Sequence, residues 1–153
     1  MRSWTSIAIR SRRLPSDCQV IGPNEPLWIS YDQAIAIHAR QLRRFGGAPG
    51  LRDEGMLRSA LERPVNKWRY ERAPLAELAA AYAFGLGKNH AFVDGNKRIA
   101  FMAMMIFLIK NGVPFSPEPA HATKIILSLA ANEVSEESLT RWIWDNWPAM
   151  PMP

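Results

Sequence analysis

An unbroken apolar segment, Ile99 to Ile109, follows directly on a short polar window, His90 to Arg98. The segment is too short to span a bilayer and is apolar all round, so it predicts a helix buried in a protein core. The Gly-Asn pair of the window is typical of a turn. The two pieces together predict a loop that runs into the N-terminus of a buried helix at about 96–111.

The N-terminus of that helix is a candidate anion site. A helix start leaves unpaired backbone N–H groups and a partial positive charge. Lys97 and Arg98 add full positive charges there, and Gly95 with Asn96 permits a tight turn and a close approach of the backbone to a phosphate. We therefore expect residues 95–98 to bind the phosphates of a ligand.

Two further side chains of the window suit phosphate chemistry. Asp94 is a candidate Mg²⁺ ligand, since magnesium sites often use one or two carboxylates plus oxygens of the substrate; the alternative is a simple helix cap. His90 is the side chain best suited to accept a proton near neutral pH. We expect Phe92 to anchor the loop in the core. The window thus predicts a phosphate-transfer site.

The composition sets the broad class. A length of 153 residues suits one domain, and 48% hydrophobic with 22% charged residues is ordinary for a globular protein. The single cysteine, Cys18, excludes an intrachain disulfide and favours a reducing cytoplasm. No export signal or membrane segment is expected. We interpret the net charge of +5 as a solvated basic surface, so direct nucleic-acid binding is not expected.

The periodicity predicts an all-α fold. Residues 1–26 contain three prolines and no sustained pattern, so we expect a poorly ordered extension before a helical domain at 27–148. His38 and His121 lie on predicted helices and are expected at the surface. Six helices are expected. The first runs from the Ser30–Gln33 capping box to Gly46, and the second runs from near Asp53 to just before Pro64. The other four are expected at about 74–88, with Pro74 as the first residue, and at about 96–111, 118–131 and 135–148. They should form a compact bundle around the 96–111 helix.

The window also resembles the motif of the Fic/Doc superfamily, in particular its Doc (death-on-curing) branch, where the pattern is His-x-Phe-x-Asp-Gly/Ala-Asn-Lys-Arg. The flanking segments Gly46 to Gly55 and Ala79 to Asn89 are similar to Doc-family segments, and the resemblance runs from about Leu27 to about Trp147. Ala91 and Ile99 stand where proline and threonine are common, but neither removes a charged or proton-transferring group. The resemblance implies an all-α helical bundle.

The resemblance also implies an activity. His90 would be the general base on a target hydroxyl, residues 95–98 would bind a nucleoside triphosphate such as ATP, and Asp94 would bind Mg²⁺. At the position of Lys97, the branch that transfers AMP typically has glycine, whereas a lysine goes with a reversed nucleotide whose γ-phosphate is transferred. The implied function is phosphorylation of a protein hydroxyl, with elongation factor Tu as target and arrested translation as outcome.

Two other functions remain open. One is AMP transfer, against which Lys97 argues, and the other is a non-catalytic protein that binds an antitoxin. The sequence contains no inhibitory Ser/Thr-x-x-x-Glu-Gly/Asn helix, so the resemblance implies restraint in trans by a cognate antitoxin. The segment 67–70 (Lys-Trp-Arg-Tyr) is a candidate surface for an amphipathic antitoxin helix. Its alternative role is that Trp68 and Tyr70 cover the core.

Overall fold

The structure is a computed structural model that describes residues 25–149. The all-α prediction is confirmed, because the described chain contains helices and a single isolated bridge but no strand. The expected extension at 1–26 lies outside the described residues except for its last two. Residues 28–148 form one compact unit. The described helices are α1 (Tyr31–Phe45), α2 (Glu54–Glu71), α3 (Leu75–Asn89), α4 (Asn96–Lys110), α5 (Pro119–Ala130) and α6 (Glu136–Asp145).

Helices α3 and α4 form the centre of the bundle. In α3, alanines and two glycines allow neighbouring helices to approach closely, and ten of its fifteen residues are buried. A Cβ on Gly85 would lie 3.3 Å from the backbone of Ala60 in α2, and one on Gly87 would lie 2.9 Å from Leu129 in α5. Helix α4 begins at Asn96 as predicted and buries one side completely, while Ile109 on the other side is exposed.

Helix α2 corrects one predicted boundary. We expected it to stop before Pro64, but it continues through Pro64 to Glu71. A proline inside a helix loses one backbone hydrogen bond and crowds the preceding turn. Here Pro64 and Val65 are buried, and Trp68 packs against the core in the following turn. Burial of this apolar side offsets the lost bond, so the segment expected to be a polar connection is helical.

The helix starts follow the sequence rules more closely. Ser30 accepts a hydrogen bond from the Gln33 N–H at 3.1 Å, and the Gln33 side chain accepts one from the Ser30 N–H at 2.9 Å, which confirms the capping box. Asp53 caps α2 through the Met56 N–H. Pro74 is the N-cap of α3 rather than its first residue. Among the described residues, none of the helices has both the length and the apolar character needed to cross a membrane.

Candidate functional site

The polar window forms a loop between the end of α3 and the start of α4. His90 is the C-cap of α3 and adopts a left-handed conformation with φ 49° and ψ 49°, and Gly95 is the N-cap of α4 with φ 81°. The segment before α2 lies against this loop: the Val93 N–H donates to the Gly50 carbonyl at 3.0 Å, and Leu51 bridges to Phe92. The segment before α2 therefore holds the loop in place through main-chain contacts.

Phe92 and Asn96 fix the middle of the loop. Phe92 is buried, as expected for an anchor. The side-chain oxygen of Asn96 accepts from the Phe92 N–H at 3.0 Å, and its amide nitrogen donates to the Phe92 carbonyl at 2.9 Å. Since both ends of this amide are bonded to Phe92, the side chain of Asn96 is held in place and its backbone N–H lies at the start of α4.

The start of α4 is open to a ligand. No side chain of residues 25–149 caps its first turn, so within this part of the chain the N–H groups of Asn96, Lys97 and Arg98 are available to an anion. Lys97 is exposed and makes no hydrogen bond or ion pair with any residue from 25 to 149. Arg98 is half-buried and donates through Nη2 to the Gly46 carbonyl at 3.0 Å. This bond ties the end of α1 to the helix start.

Asp94 presents an ionised carboxylate beside that helix start. Its Oδ1 accepts from the Gly95 N–H at 2.7 Å and its Oδ2 from the Ala48 N–H at 3.2 Å. These two backbone N–H groups, helped by the charges of Arg98 and His38, lower the pKa of Asp94 below its ordinary value. The expected Mg²⁺ ligand is thus charged and oriented at neutral pH.

Asp94 alone does not make a complete metal site. Residues 25–149 contain no cluster of three or more His, Cys, Asp or Glu side chains that could hold a metal ion. One carboxylate next to an uncapped helix start fits a Mg²⁺ ion that is carried by phosphate oxygens, since such an ion keeps few protein ligands. It does not fit a structural metal held by the protein alone. The charge and position of Asp94 therefore suit a ligand for a metal–nucleotide complex, a role that is proposed below.

His90 lies at the opposite end of the loop from Asp94. Its side chain is exposed, and its ring has no hydrogen-bond partner within the described chain. Its backbone carbonyl accepts from the guanidinium of Arg52, at 2.9 Å from Nε and also from Nη2. The imidazole is therefore accessible to a hydroxyl, while its backbone is held in place.

The structure brings a second histidine into the site, and the expectation that His38 lies at the surface is wrong. His38 is only 4% exposed, its ring stacks on Phe92 with centroids 3.7 Å apart, and its Nε2 lies 2.6 Å from the Asp94 carbonyl oxygen. Its buried neighbours on α1 are Ala34 and Gln41. The spacing of these three residues along one helix face was the available signal. His121 is exposed as expected.

Gly47 is another site residue that the motif did not indicate. With φ +128°, it adopts a conformation that side chains rarely take, and a Cβ there would lie 2.7 Å from Asp94 Oδ2 and 3.1 Å from Arg98 Nη2. A side chain at this position would displace the Asp94 carboxylate or the Arg98 guanidinium from where they lie. A separate cavity of about 420 Å³ lies between α2 and α3. It is lined in part by Asn89, the residue before His90.

A helical bundle with this loop, its histidine and its uncapped helix start has the architecture of a Fic-type domain. A match to the Fic/DOC family covers residues 28–108. The chain therefore belongs to the Fic/DOC family, and its relatives place it in the Doc branch.

Two curated relatives carry Doc names. "Protein kinase doc" of Escherichia phage P1 is 35% identical over 114 residues, which cover 72% of this chain and 88% of the relative. "Toxin Doc" of Mycolicibacterium smegmatis is 42% identical over 76 residues, covering 48% of this chain and 58% of the relative. The chain thus spans most of the first relative and a little over half of the second.

Proposed function

We propose that this chain is a Doc-like toxin that transfers the γ-phosphate of ATP, or of another nucleoside triphosphate, to a protein hydroxyl. The observation that carries the proposal is the start of α4, where Lys97 and the ionised Asp94 flank backbone N–H groups that no side chain among the described residues caps. The likeness to a relative named as a protein kinase supports the same reaction. The proposed setting is the cytoplasm, and direct binding to nucleic acid is not part of the proposal.

Each group has a proposed role in the transfer. Asp94 would hold Mg²⁺, which would supply positive charge to offset the negative charge of the phosphates. His90 accepts the proton of the target hydroxyl, whose oxygen forms a bond to the γ-phosphorus as the bond from that phosphorus to the bridging oxygen breaks. The nucleoside diphosphate leaves with the negative charge, which is stabilised by Lys97, Arg98 and the N–H groups of the helix start.

Isotope-labelled ATP tests the reaction. The purified chain is incubated with Mg²⁺, the proposed target elongation factor Tu, and ATP labelled at either the α- or the γ-phosphate. We expect γ-label on the target, and we expect the rate to fall by about 10²–10⁴-fold in His90→Ala but not in His121→Ala. Transfer of α-label would replace the proposal with AMP transfer. No transfer to this target or to a cell extract would favour a non-catalytic binding protein.

We also propose that a cognate antitoxin binds the toxin in trans. The segment 67–70 supports this only in part, because Trp68 packs edge-on against Trp28 with ring centroids 6.3 Å apart. Tyr70, in contrast, is 85% exposed at the rim of the cavity between α2 and α3. Co-expression with the product of the neighbouring gene should rescue growth and yield a stable complex. A chain that is harmless when expressed alone and binds no such product would contradict the toxin proposal.

A further inference from the structure

Arg52 contacts the catalytic loop from outside the motif. Its side chain donates from Nε to the His90 carbonyl at 2.9 Å, and its Nη2 contacts the same oxygen and lies 3.5 Å from the Asn89 carbonyl. Its backbone N–H donates to the Ala91 carbonyl at 2.7 Å. One residue thus binds three consecutive residues at the point where α3 ends and the loop begins.

The backbone of His90 is in a conformation that needs such support. A left-handed φ of 49° is unfavourable for a residue with a Cβ, and it persists where surrounding contacts hold it. The last carbonyl groups of a helix carry partial negative charge and lack intrahelical donors. A guanidinium satisfies them with two nitrogens at a fixed angle, which a lysine ammonium cannot reproduce.

We propose that Arg52 is a positioning residue for His90. By holding the His90 carbonyl, Arg52 fixes the direction in which the imidazole leaves the backbone, and so its alignment with the hydroxyl that loses its proton. The inference rests on the proposed role of His90 as the base. Arg52 makes no hydrogen bond or ion pair with residues 94–98, so its effect falls on proton transfer and not on nucleotide binding.

The kinetic test separates these two steps. Arg52→Gln and Arg52→Lys are compared with Arg58→Gln, since Arg58 is also an exposed arginine but pairs with Glu54 and lies over Tyr31, away from the loop. We expect kcat to fall by about 10- to 100-fold in Arg52→Gln and less in Arg52→Lys. The Kd of Mg-ATP should stay within about twofold of wild type, and Arg58→Gln should match wild type in both. An unchanged kcat, or a Kd that weakens as much as kcat falls, would overturn the inference.

A second measurement needs no turnover. The chain contains only three histidines, His38, His90 and His121, so their ring resonances can be assigned by NMR from single substitutions. In Arg52→Gln we expect the His90 ring resonances to shift or broaden while those of His121 stay in place. Unchanged His90 resonances would overturn the positioning role. A wild-type chain that transfers no phosphate would contradict the proposed function, and the NMR comparison would still decide the role of Arg52.

Discussion

The ring of His38 stacks on Phe92, and its Nε2 donates a hydrogen bond to the main-chain oxygen of Asp94 at 2.6 Å. One buried side chain of α1 thus contacts both the anchor of the loop and the residue that carries the proposed metal ligand. A Cβ on Gly95 would lie 3.3 Å from His38 Nε2, so His38 also packs closely against the N-cap of α4. His38 therefore holds the end of the loop that lies at the proposed nucleotide site, opposite the end held by Arg52.

We expect His38→Phe to weaken Mg-ATP binding while the protein remains folded. Phenylalanine retains the stacking on Phe92 but leaves the Asp94 carbonyl without its donor, and the loss of this part-buried hydrogen bond costs about 0.5–1.5 kcal/mol. Asp94 can then turn away from the position in which it would hold Mg²⁺. Calorimetric titration with Mg-ATP measures the effect, with His121→Phe as control because His121 is exposed. Wild-type affinity in His38→Phe would refute this role.

Two neighbouring glycines provide a matched comparison at the same site. Gly46 and Gly47 both have positive φ, but a Cβ on Gly46 would meet no atom of the described residues within 4 Å, whereas one on Gly47 would collide with Asp94 and Arg98. Gly46→Ala and Gly47→Ala should each lose about 1–3 kcal/mol of folding free energy through backbone strain. Only Gly47→Ala should also lose affinity for Mg-ATP. Equal affinities in the two variants would show that the collision is relieved without moving Asp94.

The sequence predicted those parts of the site that depend on local chemistry. The start of α4 at Asn96 follows from the change from a Gly-Asn turn to an apolar segment, and the capping box at Ser30 follows from side-chain spacing alone. His38 and Gly47 lie more than forty residues before Asp94, and their contacts exist only after α1 packs on α4. The prediction that α2 ends before Pro64 was wrong for the same reason. Burial of Pro64 in the tertiary structure outweighs the hydrogen bond that a proline removes from the helix.

Asn96 provides a test of the loop itself. Its amide satisfies both main-chain groups of Phe92, so Asn96→Ala should lose about 1–3 kcal/mol of folding free energy and weaken Mg-ATP binding. Asn146→Ala is the control, since Asn146 donates to the Trp142 carbonyl at 2.9 Å at the end of α6, away from the loop. It should lose stability without losing affinity. Urea unfolding and Mg-ATP titration of both variants check this, and equal affinities would contradict it.

Tyr82 allows a prediction about the core. Its side chain is fully buried in α3, and its hydroxyl accepts a hydrogen bond from the Ile29 N–H at 2.9 Å. Tyr82→Phe would leave this buried N–H without its acceptor, so we expect a loss of about 1–3 kcal/mol in the free energy of unfolding. Tyr70→Phe is the control, because Tyr70 is almost fully exposed and should change stability little. Urea unfolding at neutral pH measures both.

The same tyrosine should make stability depend on pH in the alkaline range. Burial disfavours the charged form and raises the pKa of Tyr82 from 10.0 to about 12 in the folded protein. The pKa of Tyr82 is higher in the folded protein than in the unfolded chain. The stabilisation that the neutral tyrosine gives to the folded protein is therefore fully present below pH 10.0 and is lost as the pH rises towards about 12. The difference in pKa corresponds to about 2–3 kcal/mol in the free energy of unfolding. This pH-dependent loss should be missing from Tyr82→Phe. Urea unfolding of both proteins across this range tests it: parallel losses of stability in the two would mean that other groups cause the decline.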